Sequence, residues 1–243
     1  MNAFMKTASL IVGLGVVTAF TLPTSAQAAQ DGMIEVAAAT EKKVKKPKHP
    51  GRKVYRRKTC MACHGKNGGK AILDYPNLAG QNAKYMVQQI KDILSQKRIG
   101  SAGESGKPRA EGMHGALVTA EGVMRVSKQE IKDVADWLSK IPAVAPKAPK
   151  EPISADRIAA GKKLYKKKKC QTCHGKEGMK PTNKAYPYVA GQKSAYISIQ
   201  MTDIKEKVRK NGKSKVMLPF VKKLTEEQIG LIADYLSQVD RSK

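Results

Sequence analysis

An all-α chain made of two small helical domains in tandem is predicted by three observations. The first is period. Val87, Ile90, Ile93 and Leu94 recur at helical spacing, as do Ile131, Val134, Ala135 and Leu138, and then Ile229, Ile232, Ala233 and Leu236. No run of alternating β-branched residues competes with them. The second is an ordered internal repeat. GRKVYRRKTCMACHGKNGG from Gly51 matches GKKLYKKKKCQTCHGKEGM from Gly161. YPNLAGQNAKY from Tyr75 matches YPYVAGQKSAY from Tyr186, and VADWLSK from Val134 matches IADYLSQ from Ile232. The third is the stretch between the copies, IPAVAPKAPKEP, whose proline and alanine content reads as a semi-extended linker.

The elements follow from these in order. Lys6 and the uncharged run Ser9 to Phe20, followed by small polar residues with Ala26-Gln27-Ala28 as a cleavage site, read as a signal peptide over residues 1–28. The run is short for a membrane span; the alternative is an uncleaved N-terminal anchor. Residues 29–50 end in EKKVKKPKHP, a lysine- and proline-rich flexible arm in which His49 reads as simply solvated. The first repeat occupies residues 51–140, the linker 141–152 and the second repeat 153–243. Each repeat should hold three to four short helices joined by loops rich in Gly and Pro. Ser127 with Glu130, and Thr225 with Gln228, look like capping boxes opening the last helix of each copy. A domain of about 80 to 90 residues is marginal for a core of side chains alone. With only 5% aromatic residues in the chain, something other than side chains should fill each middle.

Chemistry enters through the cysteines. All four lie in two identical arrangements, Cys60, Cys63 and His64, and Cys170, Cys173 and His174. Cys-x-x-Cys-His is the attachment pattern of haem c. Two thiols three positions apart on a helical turn reach the two vinyl groups of one porphyrin, and the adjacent imidazole projects onto the iron. Two disulfides would not need a histidine after each pair. A zinc ribbon needs its cysteine pairs far closer than Cys63 and Cys170, and a thioredoxin-type pair needs a βαβ setting that is absent. Two covalently bound haem c groups are therefore expected, with Cys60, Cys63, Cys170 and Cys173 holding them and His64 and His174 on the irons.

A pure electron carrier needs a sixth ligand, and Met raises the potential where it serves. In the second copy Met217 precedes the stiff Leu218-Pro219-Phe220 turn and is the candidate. Met201 reads as core, and Met179 lies too near His174 to reach the opposite face. The first copy carries an expanded stretch, GSAGESGKPRAEG from Gly100 to Gly112. Met113 is favoured there, with His114 and Met124 as alternatives; His114 would give a bis-His iron of lower potential.

The motif Tyr75-Pro76-Asn77-Leu78-Ala79-Gly80-Gln81 with Tyr85, and its counterpart Tyr186-Pro187-Tyr188-Val189-Ala190-Gly191-Gln192 with Tyr196, resembles cytochrome c4 and its tandem di-haem relatives. The resemblance spans about Gly51 to Val239. It implies two class I cytochrome c domains, each a small helical bundle around its haem, with first and last helices crossing. Gly51 and Tyr55 would then meet Trp137, and Gly161 and Tyr165 would meet Tyr235. It implies that the carbonyls of Pro76 and Pro187 orient the proximal histidines, and that the haem propionates of the two domains face one another. It also implies a periplasmic electron carrier between a quinol-oxidising complex or dehydrogenase and a terminal oxidase or reductase. The alternatives are the di-haem subunit of a sulfide-oxidising flavocytochrome, or a di-haem thiosulfate dehydrogenase or peroxidase.

The formal charge of +26 bears on partners. Behind a signal peptide it argues against nucleic acid and for acidic redox proteins, with an anionic membrane surface as a further target of the arm. Lys53, Arg56, Arg57 and Lys58, and the lysines from Lys162 to Lys169, put this charge beside the two haem motifs.

Overall fold

In a computed structural model, residues 48–149 and 151–242 are described, so the predicted signal peptide and nearly all of the predicted arm lie outside the described residues. The first copy folds as α1 (Pro50–Arg57), α2 (Cys60–His64), α3 (Ala83–Leu94), α4 (Glu111–Leu117) and α5 (Lys128–Ser139). The second folds as α6 (Ala155–Lys167), α7 (Gln171–His174), α8 (Ser194–Lys205), α9 (Leu218–Val221) and α10 (Glu226–Ser237). Five helices per copy replace the three to four expected, because α2, α7 and α9 are single turns too short to carry a periodic signal. Among the described residues there is no β-strand, only two isolated bridges in the first copy, Ala102 with Pro108 inside the expanded stretch and Val118 with Met124 after it.

The frame of each copy is a crossing of its first and last helices, and glycine makes the crossing close. A Cβ on Gly51 would stand 2.0 Å from the Asp133 carbonyl oxygen and 2.6 Å from the Trp137 Cβ. On Gly161 it would stand 2.0 Å from the Leu231 oxygen and 2.7 Å from the Tyr235 Cβ. Any larger residue pushes backbone from backbone. The rings below the crossings pack tilted, Tyr55 on Trp137 with centroids 5.1 Å apart and Tyr165 on Tyr235 at 5.9 Å. All eight periodic positions of α5 and α10 singled out by spacing are buried.

The cores differ. The second copy has one cluster of eleven buried apolar residues. The first divides its core into a cluster of seven around Tyr55 and Trp137 and a satellite of three, Leu117, Val126 and Ile131.

Three local expectations need correction. Ser127 accepts from Glu130 N–H while the Glu130 carboxylate accepts from Ser127 N–H, a full capping box. Thr225 likewise accepts from Gln228 N–H, but Gln228 Oε1 is buried without a partner, so the second box is half made. The Gln228 side chain does not return to the N-cap nitrogen. His49 is not merely solvated: it caps α1 by accepting from Gly51 N–H at 3.1 Å and meets Asp136 at 2.8 Å. The α3 stripe has Met86, Asp92 and Ile93 at its most buried positions, with Val87, Ile90 and Leu94 packed beside them, so the inward face includes a carboxylate that apolar periodicity cannot report.

Candidate functional site: a cavity lined by both Cys-x-x-Cys-His motifs

Thr59 and Lys169, both left-handed at φ 54° and 59°, turn the chain from the first helix of each copy into the short motif helix. The turn brings Cys60, Cys63 and His64, and Cys170, Cys173 and His174, onto one cavity of about 1030 Å³. That is at or above the upper end of ordinary small-molecule sites. Leu78, Ile93, Leu138, Ile197, Ile204 and Leu236 give it an apolar wall. Gly65 and Gly175, left-handed at φ 72° and 77°, close each motif, and a Cβ at either would fall 2.2 or 2.1 Å from the carbonyl of Lys70 or Lys180. The Tyr55 and Tyr165 hydroxyls donate to the carbonyls of these glycines at 2.7 and 2.8 Å, pinning the motif to the helix crossing.

Both motif histidines are buried. His64 Nδ1 lies 3.0 Å from the Pro76 carbonyl oxygen and His174 Nδ1 3.1 Å from that of Pro187. The carbonyl can only accept, so Nδ1 carries the proton and Nε2 is the bare lone pair. Burial pulls both imidazole pKa values down, partly opposed by these bonds, which keeps the rings neutral, the form that ligates metals. Burial also pushes the Cys60 and Cys170 thiols up to about 11. None of the four thiols is in a disulfide.

Four methionines line the cavity, and burial divides them: Met86 and Met201 lie in the cores at 4% and 6% exposure. Met113, on α4, and Met217, at the end of a 3₁₀ turn running into α9, both line the cavity and are half-buried. His114 does not line it; its Nε2 points toward Gln96 at 3.4 Å. Met124 is 58% exposed and away from the cavity. Met201 belongs to the buried core and also forms part of the cavity wall, so the two roles are not exclusive.

These residues fit a haem in each copy. Each half offers two thiols, a neutral imidazole with a free Nε2, a cavity-lining thioether and an apolar wall.

Sequence reasoning missed a polar cluster on the cavity's inner side, where the copies meet. Arg98 donates to Gln89 at 3.1 Å, and to Tyr196 and Gln200 at 2.9 Å each. Arg209 donates to Gln200 at 2.7 Å, Gln89 at 3.1 Å, Tyr85 at 3.3 Å and Asn211 at 3.3 Å. Asp92 and Asp203 are buried beside them, and Asp92 accepts from Asn211 at 2.6 Å. All members but Asn211 pair with a counterpart 111 positions along: Tyr85 and Tyr196, Gln89 and Gln200, Asp92 and Asp203, Arg98 and Arg209. Extending the repeat comparison past Tyr85 would have found them. Two further ties cross the same boundary. Lys193 Nζ donates to the carbonyls of Ala71, Ile72 and Leu73, and Arg241 donates to those of Ala79 and Gly80 while lying 4.4 Å over the Tyr188 ring.

Comparison with known proteins agrees with this geometry. The family model described as cytochrome c matches residues 49–142 and again 158–240. Cytochrome c4 of Azotobacter vinelandii is 32% identical over 186 residues, 73% of this chain and 82% of that protein. A thiosulfate dehydrogenase electron acceptor of Stutzerimonas stutzeri is 25% identical over 190 residues, 76% of this chain and 80% of that protein. Among solved structures, reduced cytochrome c4 from Pseudomonas stutzeri superposes with a TM-score of 0.61 at 27% identity, covering 78% of this chain and 96% of that one. With two motif helices opening on one apolar interior and two matched segments in tandem, the chain belongs to the cytochrome c family, as a di-haem c-type cytochrome that carries electrons.

Proposed function

We propose that this cytochrome is a periplasmic shuttle with no catalytic chemistry of its own. In it Cys60 and Cys63 bind one haem and Cys170 and Cys173 the other, His64 and Met113 ligate the first iron, and His174 and Met217 the second. The observation that supports this most is the matched pair of buried imidazoles. Each donates from Nδ1 to a proline carbonyl and turns a free Nε2 toward a cavity that is also lined by the half-buried Met113 and Met217. When bound, haem supplies one-electron exchange at iron. The chain's own residues do the rest. The proline carbonyls fix ring orientation and raise imidazole basicity. The thioethers favour the reduced state. The apolar wall would keep water from the ligands, and a histidine together with a methionine on each iron would leave no position for a substrate.

Met113→Ala and Met217→Ala should each remove about half of the sulfur-to-iron charge-transfer absorption of the oxidised protein. An unchanged spectrum in either variant strikes that methionine from the ligand set.

Partners are proposed from charge and exposure. Cys63 is exposed and Met61 is 43% exposed beside Arg56, Arg57 and Lys66, so the edge of the first site reaches the surface within a basic field. The second has Lys162 to Lys169 around it. Acidic surfaces of a quinol-oxidising complex or dehydrogenase as donor, and of a terminal oxidase or reductase as acceptor, suit this field. Transfer rates with such a partner should fall steeply as salt is raised; rates flat with ionic strength would refute the steering. The similarity to a thiosulfate dehydrogenase electron acceptor favours a second donor, an enzyme that oxidises thiosulfate, with this chain still as carrier. No helix among the described residues is long and apolar enough to cross a membrane, and a membrane-surface role would rest on the arm.

A further inference from the structure

We infer that each histidine ligand is tuned from the opposite domain, through a hydrogen-bond relay that begins at the glutamine of the other domain's Ala-Gly-Gln segment. The inference rests on the ligand assignment above, and four bonds carry it. Gln192 Oε1 accepts from Asn77 N–H at 3.0 Å, and Gln192 Nε2 donates to the Asn77 carbonyl at 2.9 Å. Reciprocally, Gln81 Oε1 accepts from Tyr188 N–H at 2.8 Å, and Gln81 Nε2 donates to the Tyr188 carbonyl at 2.9 Å. Both glutamines are buried, at 5% and 8% exposure.

The position of these N–H groups matters. Asn77 N–H and the Pro76 carbonyl belong to one peptide unit, as do Tyr188 N–H and the Pro187 carbonyl. The first carbonyl accepts from His64 and the second from His174. Gln192 Oε1, the Pro76–Asn77 peptide and the His64 ring therefore form one chain of aligned dipoles, and Gln81, the Pro187–Tyr188 peptide and His174 form the other. An acceptor on a peptide N–H makes its carbonyl a stronger acceptor, because hydrogen bonds in series polarise one another, most in a low-dielectric interior. A stronger carbonyl pulls harder on the imidazole N–H and raises the donor strength of Nε2. That stabilises the more positive iron and lowers the potential.

The amide orientation is fixed by its surroundings. Gln81 Oε1 also accepts from Asn82 N–H at 2.9 Å and Gln192 Oε1 from Lys193 N–H at 3.1 Å, so each oxygen faces two donors and each nitrogen faces a carbonyl. Gln81 and Gln192 are positioning residues. They touch neither ligand, and each serves the domain it does not belong to.

The test is a crossed pattern. In the full-length, haem-loaded protein, Gln192→Met removes acceptor and donor at similar size. The two potentials are measured by titration and assigned to domains by proton NMR of the haem methyl groups, and the Nδ1–H resonances of His64 and His174 are followed in the reduced state. The expected result is a rise in the first-domain potential and a shift of the His64 Nδ1–H signal, with the second domain unchanged. Gln81→Met should do the reverse. Gln192→Glu keeps an acceptor on Asn77 N–H and should leave the first potential unchanged or lower it. A shift confined to the mutated residue's own domain, equal shifts in both, no shift, or a Gln192→Glu rise equal to that of Gln192→Met would each overturn the inference. In those outcomes two correctly ligated haems still stand. A protein lacking haem mass, or lacking methionine ligation by NMR, would instead bring down the ligand assignment itself.

Discussion

The two domains share a plan up to Arg98 and Arg209 and then part. Equivalent residues are 110 apart through the Cys-x-x-Cys-His motifs and 111 apart from Tyr75 to Arg98; from Ser127 and Thr225 onward they are 98 apart, so the first domain carries thirteen extra residues between its third and last helices. The second domain spans this interval compactly, with Met217 at the end of a 3₁₀ turn and Val221 and Leu224 sealing the core behind it. The first spans it with a bridged loop and a seven-residue helix from which Leu117 joins Val126 and Ile131 in a small satellite core. Its outer residues stay in solvent, Ile99 at 45%, Val123 at 62% and Met124 at 58% exposure. Polar anchors do there what apolar packing does in the second domain. Arg109 donates to Asp74 at 2.7 Å and to Ser101 at 2.9 Å, and also to the Ala102 carbonyl, fastening the extra loop to the chain just before Tyr75-Pro76. The same thioether position can thus be held by burial or by a charge-assisted clasp. The clasp is the weaker device, because its Arg109–Asp74 pair is only half-buried and water still screens it.

The largest effect should come from what the domains share. Gly161→Val and Gly51→Val each place side-chain atoms where a backbone carbonyl stands, and overpacking against backbone costs about 3 kcal/mol or more. Each variant should lose methionine ligation in its own domain only, read as half of the charge-transfer absorption. Loss in both domains from one substitution would mean that the domains fold as one unit. A smaller effect should separate the domains. Arg109→Ala removes the clasp, should cost about 1–2 kcal/mol, and should let Met113 leave the first iron at a lower denaturant concentration than Met217 leaves the second. Equal midpoints would show that Arg109 carries no part of the loop's order.

The smallest effect concerns the caps. The Ser127 N–H, then Lys58 and Arg57 close by, hold the Glu130 carboxyl below the ordinary glutamate value. Its stabilisation is full above that ordinary value and is lost as pH falls through the folded-state value. Glu130→Gln should remove this acid-side dependence at a cost of about 0.5 kcal/mol at neutral pH. Gln228→Glu should introduce a similar dependence in the second domain by completing its box. Acid titrations of stability in both variants check the pair; parallel curves would deny the box any electrostatic role.

Much of this was legible in the sequence because it is locally written. Helical faces repeat every three or four positions, and the thiols and imidazole of each motif lie within five residues. The caps were legible as candidates, yet Thr225 with Gln228 shows that residue type does not guarantee the return bond. His49 was misread because its partner, Asp136, is 87 positions away. Asp92 and Arg209 left no apolar signature at all, since a buried charge is recognised by what surrounds it.

The sequence alone determined that the chain is a duplication, that it is helical, and that each copy carries one Cys-x-x-Cys-His motif, since each of these depends on neighbours along the chain. Only the tertiary structure decided that Met113 rather than His114 or Met124 faces the cavity, and that each Ala-Gly-Gln glutamine grips the other domain's proline loop. Those pairings join residues as much as 115 positions apart, and their bonds exist only once two buried surfaces have excluded water from the amides between them.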